Sequence, residues 1–294
     1  MNKPKSRKST TFKITLTVVG TLAIVTAYLV TGTDYTEQPY NYKHFSSTHM
    51  AESVGPDVQY LRPGQPFPGH HKIYNPETET WIRVSSLWQD RPLILETGSS
   101  TCPIFAGNGV TMDDVYNKYK DRANIALLYV REAHPGEITD YHTSWSDKLK
   151  KAITLPVKRP LYVDSIDGSL HNEIGIHPNA AYIIGTDGVI SHFALWNDPH
   201  TIGPSLERLI EDGSKGAQTK IHHTNACRVP KYFDPVQFMS RLAYKSGPRG
   251  LRDWFVSTKN YLKGVKQRYN GDKEARKAAS QCAASYDSPN LLTD

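Results

Sequence analysis

Hydrophobic positions fall into short dense runs through the middle of the chain and into spaced stripes towards its end. Residues 81–84 alternate as a short strand. Leu93-Ile94-Leu95-Glu96-Thr97, which starts just after Pro92, is an apolar run of strand length. A turn follows, Gly98-Ser99-Ser100-Thr101-Cys102-Pro103, and then Met112, Val115, Tyr116 and Tyr119 recur at helical spacing. Residues 125–130 read as a second buried strand, 144–153 as a helix and 161–163 as a third strand. Residues 180–184 and 189–194 form a hairpin around Thr186-Asp187-Gly188. Pro204 suits the first turn of a helix over 205–211, and Gly213 suits its end. Strands alternating with helices imply a parallel sheet with helices on its faces. The closing hairpin and last helix narrow this to an α/β, thioredoxin-like fold for residues 58–214.

Both ends have a different pattern. Residues 14–33 carry no charge, and at 1.5 Å per residue they would make about 30 Å of helix, one hydrocarbon core. Residues 1–13 carry five Lys/Arg and no acid. An uncleaved, single-pass transmembrane anchor is therefore expected, with the N-terminus cytoplasmic and the body exported. Six threonines dilute the run. Residues 34–57 are polar and aperiodic and read as a tether. In the tail, 215–294, Asp234-Pro235 opens a short helix carrying Val236, Met239 and Leu242. Leu251, Trp254, Phe255, Leu262, Val265 and Tyr269 mark one face of a longer helix, opposite Arg252, Lys259, Lys263, Lys266 and Arg268. This tail reads as helices packed on the domain with a basic face in solvent. The sharper alternative rests that face on lipid headgroups.

Composition sharpens the picture. The chain has 294 residues, 38% hydrophobic and 22% charged, which excludes collagen, coiled coil and general disorder. Its +6 net charge sits at the two ends. The tail holds fifteen Lys/Arg against six Asp/Glu, which leaves residues 14–214 with fifteen basic and twenty-three acidic residues. An acidic body argues against a nucleic-acid partner and suits a chain beside an anionic membrane. Three cysteines without a C-x-x-C pair exclude a zinc ribbon and a dithiol motif. Cys227 and Cys282 could pair in an exported body.

Cys102 is the foremost chemical candidate. It stands where a buried strand turns into a helix, the edge where α/β sites gather, and the positive helix end favours thiolate there. Thr101 adds a hydroxyl, and Pro103 suits the first helical turn. Glu132 and His134, two apart at the next strand's end, would share a face, so that the carboxylate fixes the imidazole tautomer and raises its proton affinity. By the same alternation Tyr129 lies on the opposite face. His70-His71 and His222-His223 with Cys227 offer no closed four-ligand spacing, so they read as loop histidines and no metal is expected. His177-Pro178 stands just before a strand, in the place where thioredoxin folds keep a cis-proline facing the nucleophile.

The segment from Arg91-Pro92-Leu93 through Gly98-Ser99-Ser100-Thr101-Cys102-Pro103, with Tyr129, Glu132-Ala133-His134 and Pro178-Asn179-Ala180-Ala181-Tyr182, resembles the iodothyronine deiodinase family. The resemblance covers roughly 58–212. It implies a membrane-anchored, thioredoxin-like enzyme that removes iodide reductively from iodinated aromatic rings (thyroxine 5'-deiodinase activity), with an external thiol reductant and no cofactor. It puts Cys102 in the nucleophile position, where the family uses selenocysteine. Ser99 and Thr101 become hydrogen-bonding neighbours, Glu132 and His134 a proton relay, and Tyr129 part of the site. Ser100 stands where family members often have a second cysteine. Ala180 stands where they usually place an arginine that helps hold the thyronine, which speaks against thyroid hormone itself. A peroxiredoxin-like thiol peroxidase and a non-catalytic, membrane-tethered binding module stay open as alternatives, as does a homodimer.

Overall fold

The computed structural model describes residues 7–35, 40–54, 61–175, 178–218, 223–225 and 234–268. In chain order the elements are α1 (Arg7–Val30), α2 (Ser47–Val54), β1 (Lys72–Asn75), β2 (Thr80–Arg83), β3 (Leu93–Gly98), α3 (Pro103–Tyr119), β4 (Asn124–Tyr129), α4 (Trp145–Ile153), β5 (Leu161–Val163), α5 (Ser169–Ile174), β6 (Ala181–Ile184), β7 (Ile190–Ala194), α6 (Pro199–Glu211), β8 (His223–Asn225), α7 (Pro235–Ser246) and α8 (Pro248–Arg268).

The strands form one sheet in the order β2-β1-β5-β4-β3-β6-β7-β8. The expected parallel sheet is mixed. β5, β4 and β3 run parallel at its centre, β6 and β7 continue it antiparallel, and β1 joins β5 antiparallel on the other side. The central βαβ unit followed by a ββα unit is the thioredoxin-like arrangement. β3 is buried along its whole length because both sheet faces are covered. Leu93 and Leu95 face Phe67, Trp88, Tyr182 and Phe193, while Ile94 faces Met112, Val115, Ile202 and Leu206 under α3 and α6. The β3–β4 register aligns Gly98 with Tyr129, so the segments leaving both strands emerge side by side at one sheet edge.

Local chemistry places the helix starts. Ser144 caps α4 by accepting from Asp147 N–H at 3.1 Å, and Asp234 caps α7 with Pro235 behind it. α6 begins earlier than Pro204 predicts, because Asp198 accepts from His200 N–H and Pro199 fills the first helical position. Pro204 therefore lies inside the helix.

The ends depart most from expectation. Among the described residues no helix is long and apolar enough to cross a membrane. Helix α1 does occupy the segment read as an anchor, and beyond its end Gly32 packs on Val256 of α8. Residues 40–54, expected to form part of a tether, are a folded strap. Tyr42, Phe45 and His49 are buried, Tyr42 O–H donates to Ala133 O at 2.7 Å, and Ser257 Oγ donates to Phe45 O at 2.9 Å. The tail packs on the domain. However, the stripe α8 buries is Gly250, Asp253, Val256 and Ser257, while Leu262 is exposed. Ser257 meets the strap at Phe45 O, and Gly250 lets α8 lie close to Ser246 and the His134 carbonyl, which the hydrophobic spacing alone does not convey. Cys227, Cys282 and Tyr269 lie outside the described residues.

Glu96, read only as part of an apolar strand, anchors a buried ionic cluster. Arg159 Nε donates to its Oε2 at 2.9 Å, Arg159 Nη1 donates to Asp113 Oδ1 at 2.9 Å, and Asn197 Nδ2 donates to Glu96 Oε1 at 2.8 Å. The Arg159 and Glu96 side chains are fully buried. Arg159→Ala would leave buried carboxylate charge without its partner. It should lower unfolding free energy by about 3–5 kcal/mol, read from urea denaturation.

Candidate active site

Cys102 is the N-cap residue of α3, with Pro103 at the first helical position. Ala106 N–H already donates to its carbonyl at 3.0 Å, so the thiol stands beside the unpaired amides of the first turn. The thiol nevertheless is not acidic. Burial pushes it up to about 11, against the pull of the Phe105 and Ile104 amides, and the Glu132 and Glu96 charges push the same way. The expected depressed thiol is corrected: the helix start acts in the anticipated direction but loses to a nearly complete loss of water, Cys102 being 3% exposed.

Glu132 is the hub of the site. Ser99 Oγ donates to its Oε2 at 3.0 Å, Thr101 N–H at 2.9 Å and Thr101 Oγ1 at 2.7 Å. Ser100 Oγ donates to Oε1 at 2.6 Å, and Tyr129 O–H also donates to Oε1. Burial alone would raise this carboxyl. The His142, Ser100 and Tyr129 contacts overcome it and hold Glu132 at about 2, so it stays ionised. Tyr129 is pushed well above its ordinary value, first by burial and then by the Glu132 charge, so it keeps its proton as a donor. β4 ends at Tyr129, and that early end brings its hydroxyl round to Glu132 although alternation put it on the far face.

The expected Glu132–His134 contact does not form. The Glu132 oxygens are turned to the 99–101 turn. His134 is reached through its backbone, whose N–H donates to Thr101 Oγ1 at 3.0 Å, while Ala133 N–H donates to Ser99 Oγ at 2.9 Å. The His134 ring packs edge-on against Phe45 at 4.5 Å between centroids, and its Nδ1 is buried without a partner. Burial drives His134 down to about 3, with Glu132 pulling weakly upward. The expected imidazolium is thus a neutral imidazole. The histidine that does approach the carboxylate is His142. Its Nε2 lies 2.9 Å from Tyr129 O–H and 3.8 Å from Glu132 Oε1. The only sequence signal for it is a histidine in the loop before the Ser144 cap.

Cys102, His134 and Pro178 line one cavity of about 50 Å³. Pro178 thus lies on the same cavity as Cys102, while His177, and with it the peptide bond expected to be cis, lies outside the described residues. The strap residues Tyr42 and Phe45 and the tail residues Phe238 and Trp254 complete the walls. Neither segment carries a sequence signal that ties it to Cys102. A cavity of this size holds a few waters at most, since a benzene-sized guest needs about 150 Å³.

Two measurements follow from the burial of this site. With its pKa moved from 9.0 to about 11, Cys102 at pH 8 should alkylate about a hundredfold more slowly than a model cysteine, and the rate should keep rising beyond pH 9. His134 ionises at 6.5 when unfolded and at about 3 when folded, so between these values the unfolded state alone takes the proton. Stability therefore falls as pH drops below 6.5. His134→Asn should flatten that fall by about 1.4 kcal/mol per pH unit, measured by urea denaturation between pH 6 and 5.

No protein-family model matches the chain. Among curated proteins it is similar to the thyroxine 5-deiodinase of Sparus aurata, 28% identical over 148 residues, which covers 45% of this chain and 55% of that protein. The thyroxine 5-deiodinase of Ovis aries is 27% identical over 147 residues, 41% of this chain and 50% of the relative. The chain thus spans about half the length of these relatives. Among solved structures, a thioredoxin-like protein in the oxidized form has a TM-score of 0.38 at 19% identity, covering 52% of this chain and 98% of that one. The exposed lipoprotein thioredoxin of Streptococcus pneumoniae also has 0.38, at 17% identity, covering 47% and 97%. The chain is thus similar in sequence to thyroxine 5-deiodinases over less than half its length, and its sheet topology is thioredoxin-like.

Proposed function

We propose that this protein is a membrane-associated thiol oxidoreductase that removes iodide reductively from an iodinated aromatic ring through Cys102. The observation that carries the reading is the shared cavity of Cys102 and His134, with both of their segments gathered on one ionised carboxylate, Glu132. The likeness to thyroxine 5-deiodinases supports the substrate class. In the proposed reaction the Cys102 thiolate attacks the iodine, the carbon–iodine bond breaks and a sulfur–iodine bond forms. The ring carbon takes a proton, delivered by way of His134. An external thiol then attacks the Cys102 sulfur and expels iodide, leaving a mixed disulfide. A second thiol frees Cys102 and departs as the oxidised disulfide, which accounts for the two electrons. Ser100 beside Cys102 offers no second thiol to close that step within the turn.

The cavity, at about 50 Å³, is too small to enclose an aromatic ring, so substrate binding would displace the strap or the Phe238–Trp254 wall. Displacement admits water and relieves the burial that holds the Cys102 thiol protonated. The same small volume favours one second reading, thiol peroxidase chemistry. There the thiolate attacks the O–O bond of a peroxide, giving a Cys102 sulfenic acid and the product water or alcohol. Membrane association is supported by the exposed apolar side chains of α1, Val18, Val19, Leu22 and Ile24, and by the basic residues that precede them.

Iodide release from iodinated phenols and thyronines with a dithiol reductant tests the reading. Cys102→Ser should abolish release, and His134→Ala should lower it by about 10²–10⁴-fold. Release that persists in Cys102→Ser would sink the proposal. Absence of release together with peroxide-dependent gain of one oxygen at Cys102, read by mass spectrometry, would transfer the site to the peroxidase reading.

A further inference from the structure

Away from the Cys102 cavity, three ligand-type side chains meet on the surface. His70 and His71 lie in the loop before β1, and Glu173 lies on α5. One Nε2 or carboxylate oxygen from each falls within 4.8 Å of the others. His71 Nε2 is 2.6 Å from Glu173 Oε2, and His70 Nε2 is 3.8 Å from the same oxygen. The two imidazole rings are neighbours, with centroids 4.3 Å apart. Two ring nitrogens thus converge on one carboxylate oxygen.

We propose that His70, His71 and Glu173 form a binding site for a zinc-class divalent metal ion. In a tetrahedral zinc site with bonds of about 2.0–2.2 Å, ligand atoms lie roughly 3.3–3.6 Å apart. The two nitrogen–oxygen separations, 2.6 and 3.8 Å, straddle that spacing, so rotation of the exposed His70 and Glu173 side chains about the half-buried His71 would bring the three atoms to it. The two imidazoles and one carboxylate leave a fourth position for water, and this donor set suits zinc and its neighbours in preference to magnesium or calcium.

The supporting backbone is fixed on both sides. Val84 N–H donates to His71 O at 2.9 Å, and Ser85 N–H donates to Gly69 O at 3.2 Å. A Cβ on Gly69 would meet Ser85 and the Trp88 ring at 2.8 Å, so this loop lies hard against the turn beneath it. On the other side Leu170 and Ile174 hold α5 in the core, and Asp164 accepts from His171 N–H at 3.0 Å. Both ligand-bearing segments are positioned without the metal, which limits the ordering cost of binding. Since His71 and Glu173 are 102 residues apart, an ion bound between them would clip the entrance of β1 to α5.

The test uses the full chain after chelator treatment, titrated with Co²⁺ for its visible absorption and then with Zn²⁺ in competition. The expected result is one equivalent bound, displaced by Zn²⁺ and not by Mg²⁺, with affinity falling at least about 100-fold in His70→Ala/His71→Ala and in Glu173→Gln. Carbethoxylation of the unmutated protein gives a readout independent of any variant's folding, because bound Zn²⁺ should protect His70 and His71. Failure to bind one equivalent, undiminished binding in both variants, or unprotected His70 and His71 at saturating Zn²⁺ would each overturn the proposal.

Discussion

The site depends on one buried carboxylate. Glu132 could not sit without water in the protein interior unless every lone pair facing the core found a donor. The donors it collects come from the turn after β3, from the last residue of β4 and, through Tyr129, from the loop bearing His142. Satisfying the charge therefore fixes three chain segments at once. Ser99 and Thr101 serve both sides of this arrangement, donating to Glu132 while accepting the Ala133 and His134 amides. Glu132 accordingly positions the 99–101 turn before Cys102 and reaches His134 only through Thr101 and the backbone.

The second constraint is exclusion of water. The cavity beside Cys102 is roofed by aromatic residues from opposite ends of the chain, and this roof keeps both the thiol and the His134 imidazole neutral. The two groups are thus at rest in the closed form. A thiolate beside a protonated imidazole would require water to reach both groups.

The central fold was legible because its signals are local. Both faces of β3 are covered, so its first half, 93–95, reads as an unbroken apolar run. Ser144 and Asp234 announce their helices, and Thr186-Asp187-Gly188 announces the hairpin. Cys102-Pro103 at a strand-to-helix junction likewise located the site. What failed were inferences that extend a local rule past its limit. The two-residue parity of Glu132 and His134 holds only while a strand continues, and β4 stops at Tyr129. The helix-end argument gives the sign of the amides' effect on Cys102, but burial depends on Phe45 and Phe238, which no local pattern ties to it. The strap was opaque for the same reason: Tyr42, Phe45 and His49 lack any period of their own and are ordered by what they cover.

That roof also changes where the working unit of this protein begins and ends. Strands β1 to β7 and helices α3 to α6 lie between residues 61 and 211, and a fragment cut there would lose only β8 from the sheet and would retain Cys102, Glu132 and His134. It would lose Tyr42, Phe45, Met50, Phe238 and Trp254 from the cavity wall. Such a fragment would carry a more solvent-open cysteine, and an exposed apolar floor in place of a pocket. The smallest piece that preserves this cysteine's environment runs from the strap to α8, well beyond the sheet on both sides.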